Sequence, residues 1–366
     1  MDVWGLPGPA AFLHSLKGAV RDGENIVVGV PETVADDVLR AVENCLQAAQ
    51  WSIIGPFKPE ARNPLEDVCV ELGLGAHERA SRSIAALIEA VTDRCLVLVY
   101  GVPGDQWAVW HRFLEEYASA CRSRELADRA QIVVIVRGIP IKQLPRSAPA
   151  LTCMVWDGVV GEADVLGYAM NALKSGTRHP PCLTKVISRT VTALALWDFD
   201  LADRLIAIDW RSIFSVSDLR AVLTAQTSAV HSFTWEAGGS GTFDGTFLRH
   251  TASLLAEGDP EGQVAMRLWA AQASELFPSL ELCRRDLVKH MRGTNRMPAS
   301  PHINGEPVGD LAEVEIGGLL YLAQMYTLPP DIVRTAAKYR RLRNKLAHLE
   351  PLSADELYEF LVNRSH

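Results

Sequence analysis

The sequence contains no long apolar run, no signal segment and no excess of positive charge. Its longer apolar runs, such as Cys95–Val99 and Ile132–Val136, are far too short for a membrane helix, which takes about 20 residues. The amino terminus lacks the basic-then-apolar layout of a secretory signal. We therefore expect a cytoplasmic protein with no membrane partner. A formal net charge of −8 speaks against nucleic-acid binding by the whole surface, although it leaves room for a local basic patch.

The cysteines show no pairing pattern. No two of the seven fall at a CxxC or CxxH spacing, so the sequence indicates neither a zinc site nor a disulfide framework. We expect them to be small buried residues in a reducing compartment. The sequence likewise suggests no bound metal and no cofactor.

Up to about residue 175, short β-rich runs alternate with helical stretches, which predicts an α/β domain with a doubly wound, mostly parallel sheet. The predicted strands, most of them apolar enough for burial on both faces, are Asn25–Val30, Trp51–Ile54, Cys95–Val99, Ile132–Val136 and Cys153–Trp156. The predicted helices of this part are Ala35–Ala49, Ser81–Val91 and Trp107–Arg122, besides one that leads into the first strand. We expect residues 1–175 to form this domain, followed by a linker over Lys174–Pro181.

From residue 176 to 366 the β signal nearly vanishes, and helical periodicity predicts an all-α domain. The predicted helices are Thr184–Ile208, Val216–Gln226, Thr246–Glu257, Glu261–Arg292, Leu311–Met325, Asp331–His348 and a last one from Ser353, where a capping-box pattern occurs. Pro278 and Pro330 are expected in the first turns of helices. The Gly-rich stretch Ala237–Gly241 is expected to be an exposed loop.

The start of the first half resembles the opening of P-loop ATPases, in which a strand feeds a Gly-rich loop that holds phosphates. Here the segment Gly29–Asp37 supplies neither a second glycine nor a lysine, and Glu32, Asp36 and Asp37 would repel a phosphate. We therefore predict a degenerate nucleotide-binding fold that senses a signal or docks a partner, without ATP hydrolysis.

The predicted helix Asp331–His348 carries a local cationic strip in an otherwise acidic chain. Its apolar residues recur every three or four positions, and its polar side holds six positive charges against Asp331: Arg334, Lys338, Arg340, Arg341, Arg343 and Lys345. Such a strip is suited to a phosphate backbone, and so we expect RNA as a partner, bound by Lys338, Arg340, Arg341 and Lys345.

Three residues of this helix could cut RNA without a metal. Histidine is the residue type suited to moving a proton near neutral pH, which gives His348 that role. Arg343 can hold the phosphorane oxygens, and Asn344 can orient either group. Five residues on an ideal helix place Arg343 and His348 roughly 140° apart around the axis. A bend near His348, or a second copy of the helix across a two-fold axis, would bring them together.

Arg343-Asn344-Lys345-Leu346-Ala347-His348 resembles the Arg-x4–6-His motif of HEPN domains. The resemblance rests on these six residues and implies a HEPN-like helical bundle, metal-independent endoribonuclease activity, and a composite site formed by a homodimer. An acidic residue followed four positions later by a basic one on an earlier helix is also common in the family, and Glu281 with Arg285 could match it. On that same earlier helix we expect Trp269 and Phe277 in the core, with Gln272 and Glu275 on the solvent-exposed side.

A sensor fold joined to such a domain suits a bacterial defence or toxin effector that answers to a signal or a partner protein. Two alternatives remain: a catalytically silent adaptor in a larger defence complex, and a ring-nucleotide-activated ribonuclease of the CRISPR-associated type. Against the latter, a helix precedes the first strand, and that strand lacks an early Thr/Gly ligand loop.

Overall fold

The chain forms two compact units. A computed structural model describes residues 2–34, 37–47, 52–60, 63–74, 83–90, 95–123, 125, 129–174, 179–224 and 232–362. The first unit comprises Met1–Val165, Leu196–Asp200 and Thr227–Ser253, and the second comprises Leu166–Ala195, Leu201–Gln226 and Leu254–His366. The boundary predicted at residues 175 and 176, within the expected linker, lies outside the described residues.

The first unit is built on a five-stranded parallel sheet in the order β2-β3-β4-β1-β5. The strands are β1 (Asn25–Val30), β2 (Ser52–Phe57), β3 (Cys95–Tyr100), β4 (Gln131–Arg137) and β5 (Leu151–Val155). This confirms the α/β class of the amino-terminal part. Strand β1 is buried along its whole length, as expected for an apolar strand flanked by β4 and β5.

Helices alternate with these strands, since parallel neighbours need crossover connections. They are α1 (Pro7–Arg21), α2 (Val38–Gln47), α3 (Pro64–Glu71), α4 (Ile84–Ala90), α5 (Trp107–Cys121) and α6 (Glu162–Lys174), of which α6 continues into the second unit. Alternate residues of a strand face the same side, and on one side Val97, Ile132 and Val134 share a core with Trp110 and Tyr117 of α5. The aromatic stripe of α5 is therefore part of this core.

A β-hairpin of the first unit corrects the prediction for residues 237–257. Strands β6 (Ser240–Phe243) and β7 (Thr246–Arg249) pair antiparallel, where an exposed loop and the start of a helix were expected. Both carboxylate oxygens of Asp157 accept hydrogen bonds of 2.7 Å from the backbone and hydroxyl of Thr242. The hairpin is thereby fixed to the turn after β5. A helix does follow it, but begins only at Thr251.

The second unit contains mainly helices. They are α7 (Thr184–Ala195), α8 (Phe199–Ala207), α9 (Val216–Thr224), α10 (Thr251–Ala256), α11 (Gln263–Arg292), α12 (Ile316–Met325), α13 (Pro330–Ala347) and α14 (Ala354–Val362), of which α8 and α10 begin in the first unit. A short ribbon of β8 (His302–Ile303) and β9 (Glu306–Pro307) corrects the expectation that residues 176–366 are all helical. Among the described helices, none is both long and apolar enough to cross a bilayer.

Two helix boundaries also differ from the predictions. The helix predicted over residues 184–208 is broken at Leu196, which adopts a left-handed φ of 56°. Pro278 lies inside the 30-residue α11 instead of starting a helix. Pro330, by contrast, occupies the first turn of α13 as predicted, where its missing N–H has no helical partner to lose.

Candidate functional site

Helix α13 carries the predicted site residues and packs through one apolar stripe. Ile332, Ala336, Leu342 and Leu346 are buried, as the three-and-four spacing predicts. The capping box that starts α14 is also confirmed. The Ser353 hydroxyl accepts a hydrogen bond from the Glu356 amide, and the Glu356 carboxylate accepts one from the Ser353 amide.

His348 caps the carboxyl end of α13 and is exposed. The next residue, Leu349, has a φ of 62°, and its amide donates to the Leu346 carbonyl at 3.3 Å. The Glu350 amide donates to the Lys345 carbonyl at 3.0 Å, which completes a Schellman motif with leucine at the usual glycine position. The helix is regular as far as Ala347, so no bend separates Arg343 from His348.

Two side chains of α11 hold the segment that bears His348. The Trp269 indole donates to the Leu346 carbonyl at 2.6 Å. The Gln272 amide donates to the Leu352 carbonyl at 3.0 Å and accepts from the Leu352 amide at 2.6 Å. Gln272 is completely buried, so the expectation that it lies on the solvent-exposed side of its helix is wrong. His348 therefore lies between two anchored backbone positions.

The helical positions separate Arg343 from His348. On α13, Arg341 and His348 differ by roughly 20° around the axis, and Asn344 lies roughly 40° from His348. Arg341 and His348 are exposed and Asn344 is half-buried, which gives one accessible face with a cation, an amide and an imidazole. Arg343 lies roughly 140° from His348 on another side of the helix. The structure thus brings Asn344 and His348 onto one face with Arg341, and leaves Arg343 apart.

Helix α14 neutralises much of the cationic strip. The Lys338 ammonium lies 3.2 Å from a Glu359 carboxylate oxygen, and the Arg341 guanidinium lies 3.6 Å from the other. The Lys345 ammonium lies 2.8 Å from Glu356. Within the described part of the chain, Arg334 and Arg340 form no ion pair. Of the four predicted RNA-binding residues, only Arg340 is thus without a carboxylate partner among the residues described.

The Glu356 carboxyl responds to this environment. Burial alone raises its pKa, but hydrogen bonds from Lys345 and Ser353 outweigh that effect and leave the pKa below its ordinary value. Glu356 is therefore ionised at neutral pH. It both caps α14 and holds Lys345.

Arg343 lines a cleft of about 310 Å³ within the second unit, which we call the Arg343 cleft. Its charged walls are Glu281, Arg284, Glu315 and Arg343, and its apolar and aromatic walls are Phe277, Leu280, Ile316 and Tyr339. The Arg343 guanidinium donates one hydrogen bond of 3.1 Å to Glu315 at the start of α12. Phe277 is 36% exposed, so the prediction that it lies in the core is wrong.

Glu281 pairs with Arg284, three residues later on α11. The Arg284 Nε donates to both carboxylate oxygens of Glu281, at 2.9 and 3.0 Å. Its Nη1 donates to the Ala312 and Val314 carbonyls, which ties α11 to the segment before α12. The hydrogen bond from Arg284 lowers the pKa of Glu281, and the exposed Arg285 adds only its charge.

The first unit has a second candidate ligand site, which lies at the carboxyl ends of β1 and β4. The chain leaves these neighbouring strands in opposite directions, toward β2 and β5, and doubly wound sheets bind ligands at such points. The Glu32 amide donates to the Glu236 carbonyl at 2.8 Å, and Arg137 donates to the Glu32 and Val34 carbonyls. The Glu32 amide, at the position of a P-loop, is therefore bonded to protein. Asp36, predicted to repel phosphate there, lies outside the described residues.

Thr33 contacts the Gly-rich segment that precedes β6. A Cβ on Gly238 would lie 2.1 Å from the Thr33 hydroxyl, so only glycine allows this approach.

In the part of the chain that is described, no group of three His, Cys, Asp or Glu residues is arranged to hold a metal ion. No protein-family model matches the sequence, and no curated protein matches it either.

Proposed function

We propose that the helical part of the second unit is a HEPN-type domain that cuts RNA without a metal. The observation that carries the proposal is the accessible face of α13, on which His348 and Asn344 lie together with Arg341. An imidazole, an amide and a guanidinium are the groups that a metal-free transphosphorylation needs.

In this mechanism the ribose 2′-oxygen attacks the adjacent phosphorus while His348 takes the hydroxyl proton. The bond from phosphorus to the 5′-oxygen breaks, and that oxygen takes up a proton from a second imidazole, His348 of a second copy. The products are a 2′,3′-cyclic phosphate and a 5′-hydroxyl. The guanidinium of Arg341 on the same face, or that of Arg343 from the second copy, stabilises the charge on the phosphorane oxygens. Asn344 orients the phosphate.

The separation of Arg343 from His348 supports a homodimeric site. A regular helix keeps the two side chains roughly 140° apart, so they cannot converge on one phosphate from a single straight α13. A second copy across a two-fold axis supplies the missing group to each site. We therefore propose that the active species is a homodimer formed through this domain.

The sheet-bearing unit serves as a sensor or docking module in the proposal. At the carboxyl ends of β1 and β4 the Glu32 amide is bonded to the Glu236 carbonyl, which suits a protein partner or a signal better than phosphate turnover. Together the two units form a defence or toxin effector of the cytoplasm. Its nuclease would act once a signal or partner protein engages the first unit.

A catalytically silent adaptor is the second candidate, and one observation favours it. Lys338, Arg341 and Lys345 are ion-paired with Glu356 and Glu359, so most of the predicted phosphate-binding strip is already neutralised. A resting state of a regulated nuclease would show the same pairs. Cleavage measurements distinguish the two.

RNA cleavage is measured with and without EDTA for the parent protein and for His348→Ala, Arg343→Ala and Arg341→Ala. We expect cleavage that survives EDTA and falls by about a hundredfold or more in His348→Ala, because general acid–base catalysis contributes about that much. Matched controls are His290→Ala and Arg292→Ala, which remove an exposed histidine and an exposed, ion-paired arginine of the same unit. If the dimer cuts no RNA, the adaptor function replaces the nuclease. If the parent cuts RNA and His348→Ala cuts it equally well, His348 is not the catalytic residue and the proposed site is wrong.

A further inference from the structure

The Arg343 cleft has walls that the proposed cleavage chemistry does not use, among them Phe277 and Glu315. Its volume of about 310 Å³ lies at the lower end of the range for small-molecule pockets, about 300–1,000 Å³. Leu280 and Ile316 are buried and form an apolar floor of the cleft. The Phe277 ring is accessible at its side. A flat ring whose faces are apolar fits such walls.

The charges of the cleft disfavour a bare phosphate. Its two arginines are balanced by Glu281 and Glu315, so it holds no net positive charge. Arg284 is committed to Glu281 and to two backbone carbonyls. The ligand must therefore accept hydrogen bonds from a cation and also donate them to a carboxylate.

Arg343 and Glu315 are the charged pair available to a ligand. A single hydrogen bond of 3.1 Å joins them, and their side chains are 44% and 75% exposed. Among the described residues, the second carboxylate oxygen of Glu315 has no hydrogen-bond partner. The same holds for the remaining N–H groups of Arg343. The pair thus presents donors and an acceptor side by side at the edge of an aromatic wall.

Guanine is the base whose edge matches this pattern. Its O6 accepts from an arginine, and its adjacent N1–H and N2–H₂ groups both donate to one carboxylate. Adenine and cytosine offer a carboxylate only one amino group on that edge, and uracil offers only its N3–H. We propose that the Arg343 cleft binds a guanine base, with Phe277 beside the ring, Glu315 accepting from N1–H and N2–H₂, and Arg343 donating to O6.

The base can come from RNA or from a free guanine nucleotide. The RNA source rests on the proposed nuclease function with Arg341 as the arginine at the reacting phosphate, in which the cleft would select a guanine beside the cut. Binding of a free guanine nucleotide does not require that the protein cut RNA. If the ligand is a free nucleotide, the cleft is an effector site. Binding is measurable separately from cleavage, so the failure of one proposal does not imply the failure of the other.

The test is calorimetric binding of GMP, AMP and inosine monophosphate, together with short RNAs that contain or lack guanine, to the full-length protein. We expect tighter binding of guanine than of adenine, and weaker binding of inosine, which lacks the N2 amino group. Glu315→Gln should reduce guanine binding about tenfold or more. Phe277→Ala should reduce it roughly five- to a hundredfold through lost stacking. Leu282→Ala, an exposed leucine of α11 outside the cleft, should bind like the parent.

The outcomes separate the two sources. GMP binding that is lost in Glu315→Gln supports a free nucleotide, and guanine-dependent binding of the RNAs alone supports an RNA base. Absence of any guanine preference, or a preference that both variants retain, overturns the proposal. If the protein binds guanine but cuts no RNA, the guanine-binding proposal for the cleft stands and only the nuclease proposal is refuted.

Discussion

Gln272 gives the sharpest test of how the segment bearing His348 is held. Its side chain is completely buried and makes two hydrogen bonds to the backbone of Leu352, at 2.6 and 3.0 Å. Leucine at position 272 keeps nearly the same volume but removes both partners. The Leu352 N–H and C=O would then be buried without hydrogen bonds.

Each unsatisfied buried group costs about 1–3 kcal/mol. Burying the more apolar leucine side chain offsets about 1 kcal/mol of the total. Two such groups, less this offset, lead us to expect that Gln272→Leu lowers the free energy of unfolding of the second unit by roughly 1–5 kcal/mol. For a unit of this size, that corresponds to a fall in Tm of roughly 2–20 °C.

Urea and thermal unfolding, followed by circular dichroism, measure this change. Gln324→Leu is the control, because Gln324 is an exposed glutamine of α12, and its loss should change the free energy by less than about 0.5 kcal/mol. A Gln272→Leu protein as stable as this control would refute the reasoning. It would mean that Leu352 finds other partners and that Gln272 does not anchor the segment.

Three further predictions concern the end of α13 and its ion pairs. Leu349→Gly should raise the free energy of unfolding, measured in urea, by about 0.5–1 kcal/mol, because leucine adopts a left-handed φ there at a cost that glycine does not have. The Leu349 side chain is half exposed, so little packing is lost. A loss of stability would show that its side-chain contacts outweigh the backbone strain. Glu359→Gln should free Lys338 and Arg341, so RNA binding by fluorescence anisotropy should strengthen and its salt dependence should steepen, whereas unchanged binding would place RNA elsewhere. The pKa of Glu356 is lowered in the folded state from its ordinary value of 4.5, so its ionised form stabilises the fold at neutral pH. This contribution is lost as pH falls through the lowered pKa. Glu356→Gln should therefore flatten the loss of stability on acidification below pH 4.5, relative to the parent.

The apolar strands could be predicted because both of their faces are buried. Strand β1 has the predicted bounds, and β3 and β4 each extend the prediction by only one or two residues. A strand covered on both sides needs apolar residues at nearly every position, and this leaves a continuous signal in the sequence. The exposed strand β2 left a weaker one, and its observed end lies three residues beyond the prediction.

The two hairpins were missed although their turns carry a local signal. Asp244-Gly245 and Asn304-Gly305 both join short strands, and all four residues have positive φ values. Asp-Gly and Asn-Gly pairs are typical of two-residue hairpin turns because both residues tolerate this conformation. The flanking strands have only two to four residues, so their alternation was too short to outweigh helical periodicity nearby.

The RNA-directed function stays a prediction that rests on the motif. The relative placement of the motif's residues on their helix could be predicted from their spacing alone. The angle between Arg343 and His348 follows from helix geometry, and α13 is regular between them. The partners of the cations could not be read in this way. Glu315, Glu356 and Glu359 lie on neighbouring helices, 28, 11 and up to 21 residues away in sequence from the cations they bind.

The sequence by itself determined the strands of the parallel sheet, the helix that carries Arg343 to His348, and its start at Pro330. These features depend on local periodicity and on residues next to one another in the chain. Only the tertiary structure decided that the cationic strip is neutralised, that Gln272 is buried beneath the segment bearing His348, and that Arg343 lines a cleft with Phe277 and Glu315. Each of these depends on packing between helices that are distant in sequence, and a single helix carries no record of the side chains that it will meet.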